Sequence, residues 1–292
     1  MPVTQKNKLY VAIGIDCDPD RDTYPEKMTF RGIENIPKLF DLPDIKWTFN
    51  IRADSEVRDY HGSAHYCYQQ YREIWETVLR HGSAWAWHLH YYDNHNRQDI
   101  SETNIVENIR LGSEALNHPD LVHMGWTFQN EFSIRRLYEA GVRVDYSPLP
   151  KMKFDGRRGT DMYDWGNVSY EPYIWHGVKM IPAYTFKSRL LAHRFGTERV
   201  MLTTCTTPLL FKMLVRDFFK NSHAQFFVNY FHIDEIISAL RDWRRKLYSF
   251  DNLKKNIEYI KIMADRNNRE IEFVNIRQLA GILFDENNPG HQ

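Results

Sequence analysis

Ile13-Gly14-Ile15-Asp16-Cys17-Asp18-Pro19-Asp20 is an apolar run that ends abruptly in acids at alternate positions. Residues two apart on an extended strand share a face, so Asp16, Asp18 and, beyond them, Asp20 can present carboxylates together at the strand's end. Strand ends are where α/β enzymes carry their chemistry. Carboxylates this close repel one another unless a bound cation, an arginine or a shared proton offsets the charge. Taken alone, the run also fits a solvated Asp/Pro turn.

The flanking sequence repeats the strand-then-helix theme. Leu9 to Ile15 reads as a buried strand, followed by a polar loop to about Glu26, a helix from Glu34 to Leu42 and a β-branched and aromatic strand, Lys46 to Arg52. Tyr66 to Arg80 has apolar residues at helical spacing and stops at His81-Gly82, after which Ala84 to His90 is strand-like. Ser101 is a candidate N-cap for a helix to Leu116, and a short strand follows near Val122 to Trp126. Ser133 to Ala140 (helix) and Val142 to Tyr146 (strand) make the alternation four units deep. From about 148 to 175 the pattern breaks into a Gly/Asp/Tyr/Pro-rich insertion that suits a cover over one end of the fold. Further strands are expected at Val178–Tyr184, Ala224–Phe231 and Glu270–Asn275, with helices at Pro208–Lys220, Ile233–Tyr248, Asn252–Ala264 and Ile276–Leu283. Seven or eight β/α units predict an α/β protein: one mostly parallel, distorted (β/α)7-8 barrel forming a single domain over residues 1–292.

Composition narrows the function classes. The chain has 292 residues, 42% hydrophobic, enough for a sizeable core, and its 38 basic residues balance 38 acidic ones. That balance gives no global attraction to nucleic acid or an anionic membrane and favours a small or neutral partner. No segment reaches the roughly 18 uninterrupted apolar residues of a membrane helix, and the N-terminus lacks a signal-peptide core, so a cytoplasmic location is expected. Cys17, Cys67 and Cys205 are few and scattered, which speaks against disulfides or a Cys-rich zinc site. There is neither a Gly-x-Ser-x-Gly elbow nor a Gly-x-Gly-x-x-Gly phosphate loop.

Three predicted strand ends carry chemistry-bearing side chains: Asp16 and Asp18, then His88-Leu89-His90, then His232-Ile233-Asp234-Glu235. His88 and His90 alternate as the two acids do, so both imidazoles can face one point. Two histidines and a carboxylate with an open position form a catalytic zinc arrangement. A lone histidine pair is otherwise a satisfied core or rim pair. Asp234 and Glu235 fit the first turn of the following helix, where acids suit the dipole, or an orienting role toward His232.

The order and form of these motifs resemble the polysaccharide deacetylase superfamily, the NodB-homology or carbohydrate esterase family 4 group. The likeness covers roughly the first 240 residues and rests on Ile13 to Asp18, Trp87-His88-Leu89-His90, the region Phe128 to Ser147, and Tyr230 to Glu235. It implies a distorted barrel that removes N- or O-acetyl groups from sugars. Carried over by motif, Asp16 is the base, Asp18, His88 and His90 hold Zn²⁺ or another divalent transition metal, and His232 is the late acid. The family spaces its metal histidines four apart, whereas four after His88 stands Tyr92; its third motif carries an Arg that orients the base, absent from Met124 to Asn130. Gln129 or Arg52 could replace that Arg. Relatives in bacterial surface-polysaccharide (O-antigen) gene clusters share the His-x-His form and the Arg52-Ala53-Asp54 run. The implied substrate is an amino sugar or glycan, with Arg52, Tyr92, Trp126 and Gln129 as candidate contacts. A hydrolase of another C–N bond (formamide, uronamide or ureide), with or without metal, and a non-catalytic glycan-binding barrel are the rival readings.

Overall fold

The computed structural model describes residues 7–21, 23–24, 26–92, 98–155, 162–188, 199–222, 224–237 and 247–285. At its centre is β1 (Asn7–Cys17), buried without interruption from Val11 to Cys17. A strand covered on both faces is expected to read as a continuous apolar run rather than an alternation. To one side β1 pairs in parallel with Phe226–His232 and to the other with β2 (Trp47–Arg52). The parallel order continues through β3 (Ala84–Leu89), β4 (Leu121–Met124), β5 (Val144–Asp145) and the Val178–Met180 strand. Arg269–Phe273 adds a parallel strand beside the first half of β1. Just past Val178–Met180, the Tyr184 N–H donates to the Val228 carbonyl at 3.1 Å and brings the sheet's two ends together. Among the described residues, eight parallel strands so arranged, seven in order and Arg269–Phe273 beside β1, make the distorted α/β barrel.

Helices join successive strands and bury one stripe each. Glu102–Ala115, between β3 and β4, buries Ile105, Asn108, Ile109 and Gly112, and Ser101 caps it by accepting from the Asn104 N–H. Asn130 and Ser133 form a reciprocal cap at Glu131–Glu139. Pro208–Asn221 and Phe250–Arg266 pack on each other. Cys17, Cys67 and Cys205 are free and buried.

Several elements differ from the sequence expectation. The helix expected from Glu34 is a 3-10 helix, Arg31–Asp41, with Pro37 inside it; a proline removes the N–H that an α-helical bond needs. Asp20 turns away from the other acids and accepts from the Arg31 and Gly32 N–H groups and from Thr29, fixing the start of that helix. The helix expected over Ile233–Tyr248 begins as a 3-10 turn, Ile233–Ile236, and residues 238–246 lie outside the described residues. The strand near Val122–Trp126 ends at Met124 because Trp126 and Thr127 both take φ of 53°. Within the insertion, Lys153–Asp155 pairs antiparallel with Met162–Asp164, and Tyr173–Trp175 with Val178–Met180; residues 156–161 lie outside the described set. Trp165 of the insertion donates to the Thr127 carbonyl at 2.9 Å and so pins the turn that carries Trp126.

Candidate active site

Parallel strands in register bring residues of equal height side by side. Asp16 stands opposite His232 on one neighbour and Asn50 on the other, and Arg52, His88 and His123 form a second row across β2, β3 and β4. These rows floor a cavity of about 260 Å³, whose walls include Asp16, Asp18, His88, His90, His123 and His232. Met124, Trp126, Leu149, Met201 and Tyr230 supply its apolar side.

Asp18 lies just beyond β1. Its Oδ1 is 3.3 Å from His88 Nε2 and 3.4 Å from His90 Nε2, and the two imidazole nitrogens are 3.0 Å apart. His88 Nδ1 donates to the His123 carbonyl at 2.8 Å, which leaves Nε2 as the nitrogen that faces Asp18. A tetrahedral zinc site with bonds of about 2.0–2.1 Å has ligand-to-ligand edges of about 3.3 Å, so the spacing of these donor atoms fits such an ion. His88 also has the backbone partner that metal-ligating histidines generally keep, whereas His90 Nδ1 is buried without a hydrogen-bond partner. Asp16, His88 and His123 make a second grouping of donor atoms, but the His88 atom facing Asp16, at 3.8 Å, is the Nδ1 that is bonded to the backbone. The tautomer therefore favours Asp18, His88 and His90.

Charge around these groups is finely opposed. Burial pushes the Asp18 carboxyl up, but His88 and His90 outweigh it and hold it well below the usual range. Burial lowers His88 too, yet Asp18 and Asp16 reverse this and raise it to about 9. His90, buried and close to the Arg52 guanidinium, falls to about 4. Burial likewise opposes ionisation of Asp16, and His123, His88 and His232 overcome it. Asp16 accepts from Asn50 Nδ2 at 2.6 Å, and Tyr146 Oη donates in turn to Asn50. Two glycines make room. A Cβ at Gly125 would sit 2.1 Å from the His90 ring, and one at Gly14 would sit 2.5 Å from Tyr146 Oη.

His232 Nε2 faces Asp16 and Asp18 at 3.8 and 3.6 Å, and its Nδ1 faces Glu235 Oε1 at 3.6 Å. Burial and Arg21 push His232 down, but Glu235 and Asp16 more than compensate and raise it. Asp234 and Glu235 are themselves buried and pair with Arg21, so the helix-dipole reading of these two acids gives way to a buried ion network behind His232.

The other candidate contacts are placed unequally. Trp126 is half exposed at the cavity wall, and its indole N–H donates to Tyr92 Oη. Tyr92 is buried, stacks on His90 and is not among the residues that line the cavity. Arg52 is 2% exposed and pairs with Asp18 at 3.0 Å and with Asp54 and Glu56, so its guanidinium supports Asp18 from behind instead of facing the cavity. Gln129 uses both ends of its amide, donating to Asp145 and accepting from Ser133, away from the cavity. Neither stands beside Asp16. That place belongs to His123, whose Nδ1 is 3.0 Å from Asp16 Oδ1. Its alignment with His88 across the strands is the signal that sequence reasoning lacked.

No family model and no curated protein matches the chain. Solved structures do match its fold. A Mycobacterium smegmatis protein assigned as a polysaccharide deacetylase aligns over 97% of this chain and 92% of its own, with a TM-score of 0.55 and 14% identity. The chain has the fold of that deacetylase. The 4-alpha-glucanotransferase of Thermococcus litoralis aligns over 93% of this chain and 40% of its own, with a TM-score of 0.52 and 10% identity. One deacetylase-type scaffold thus occurs with more than one chemistry, and function has to be argued from the site.

Proposed function

We propose that the protein is a metal-dependent hydrolase that removes an N-acyl group, acetyl in the simplest case, from an amino sugar of a bacterial surface polysaccharide. The convergence of Asp18, His88 and His90 donor atoms within 3.0–3.4 Å carries this reading. When bound there, a divalent ion such as Zn²⁺ polarises an acyl carbonyl and acidifies water.

The chain's own groups account for the remaining work. Asp16 supplies the negative charge that drives loss of a proton from water, and the Asn50 amide holds it in place. His232, whose hold on a proton Glu235 and Asp16 strengthen, gives a proton to the leaving amine. Trp126 and the apolar wall of Met124, Leu149, Met201 and Tyr230 suit the apolar face of a pyranose.

The test is the zinc content of the wild-type protein beside that of His88→Ala, together with acetate release from N-acetylated oligosaccharides. One zinc per chain, lost in the variant along with acetate release, is expected. Metal-free wild-type protein would sink the proposal.

A further inference from the structure

His123 has no role in that scheme, yet its Nδ1 lies 3.0 Å from Asp16 Oδ1, on the same oxygen that accepts from the Asn50 amide. The ring is held in one plane between Tyr146, stacked at 4.5 Å, and Tyr230, edge-on at 4.6 Å. Its Nε2 is enclosed without a hydrogen-bond partner, and the residue forms part of the cavity wall. Enclosed polar atoms without partners are uncommon in native proteins and mark a catalytic group or a bound water. Asp16, by contrast, is fully engaged: Oδ1 meets Asn50 and His123, and Oδ2 faces His232.

We infer that His123 stands between Asp16 and the reacting water: Asp16 fixes the proton on Nδ1, and Nε2 accepts the proton of the water. The inference deepens the acyl-hydrolysis reading and rests on it. A carboxylate bonded to Nδ1–H sets the imidazole's tautomer and orientation and stabilises the imidazolium that forms. The steps balance. A water O–H bond breaks as N–H forms at Nε2, and the oxygen's electron pair adds to the acyl carbon as the C=O π pair moves to the carbonyl oxygen. That pair re-forms the carbonyl as the C–N bond breaks with its own pair going to nitrogen, which takes a proton from His232. One water is consumed, a carboxylic acid and an amine are released, and solvent takes the proton from His123 and returns one to His232. On this reading Asp16 is a positioning residue and His123 the catalytic one.

The zinc-loaded protein is assayed with N-acetylated chitooligosaccharides and 4-nitrophenyl acetate as wild type, His123→Gln, and His123→Gly with added imidazole. Glutamine keeps an amide donor toward Asp16 but cannot take a proton. The expected result is a kcat lower by about 10²–10⁴ in H123Q, with KM and zinc content unchanged and activity of the glycine variant restored by imidazole. Near wild-type kcat in H123Q, or loss of zinc without imidazole rescue, would overturn the inference. Nitrogen-15 NMR of the wild-type imidazoles is an independent readout: a proton on Nδ1 with Nε2 bare is expected, and the opposite tautomer would overturn it. Absence of turnover by the wild-type protein sinks the acyl-hydrolysis reading itself, a different result from turnover that survives H123Q.

Discussion

Asp16 and Asp18 are the same residue type, two positions apart at the end of β1, and the structure gives them opposite surroundings. Asp18 reaches past the strand end, 18% exposed, with two imidazole nitrogens on one side and Arg52 on the other. Asp16 is 3% exposed, held by Asn50 and pressed against His123. Environment, not residue type, divides paired carboxylates between roles. On the proposed function, the Asp18 end holds a cation and the Asp16 end governs a proton.

The largest expected effect comes from breaking the Asp18 end. Asp18→Asn replaces a full negative charge between two imidazoles, and both bound zinc and acetate release are expected to fall to background; an Asn variant that retains stoichiometric zinc would show that the ion sits elsewhere. Asp16→Asn should separate the two ends, lowering kcat by about 10²–10⁴ while zinc stays bound. Equal loss of zinc in both variants would erase the distinction between them.

Next come the residues behind each acid. Arg52→Met leaves Asp54, Glu56 and Asp18 without their buried cation, and a stability loss of about 3–5 kcal/mol is expected in urea denaturation, with zinc affinity reduced roughly 10–100-fold. Asn50→Ala removes a donor to Asp16 and strands the Tyr146 hydroxyl, for an expected loss of about 1–3 kcal/mol at unchanged zinc affinity. If Asn50→Ala also releases zinc, the two ends are one coupled network. The smallest effect belongs to the mouth: Trp126→Ala is expected to raise KM about two- to tenfold with kcat unchanged.

Much of this was legible in the residue order. Alternation at Asp16 and Asp18 and at His88 and His90 assigns each pair to one strand face, because the side-chain period of a strand is local and fixed at two. The β/α succession likewise foretold a parallel barrel. The helix expected at Glu34 became a 3-10 helix through Pro37, a local rule the apolar spacing obscured. Arg52 and Gln129 illustrate the opposite case. Both are polar residues near a strand end, and only their contacts show that one is enclosed by three carboxylates and the other bonded to Asp145 and Ser133.

The sequence by itself determined the central parallel strands, the shared faces of Asp16 with Asp18 and of His88 with His90, and that these groups lie at strand ends. Only the tertiary structure decided which strand end stands beside which. Register between parallel strands set His123 beside His88 and at 3.0 Å from Asp16, while loop packing turned Asp20 to a different task and tied Asp234 and Glu235 to Arg21. The reason is physical: side-chain direction follows from a residue's own backbone, whereas proximity across strands depends on hydrogen bonds between segments far apart in the chain.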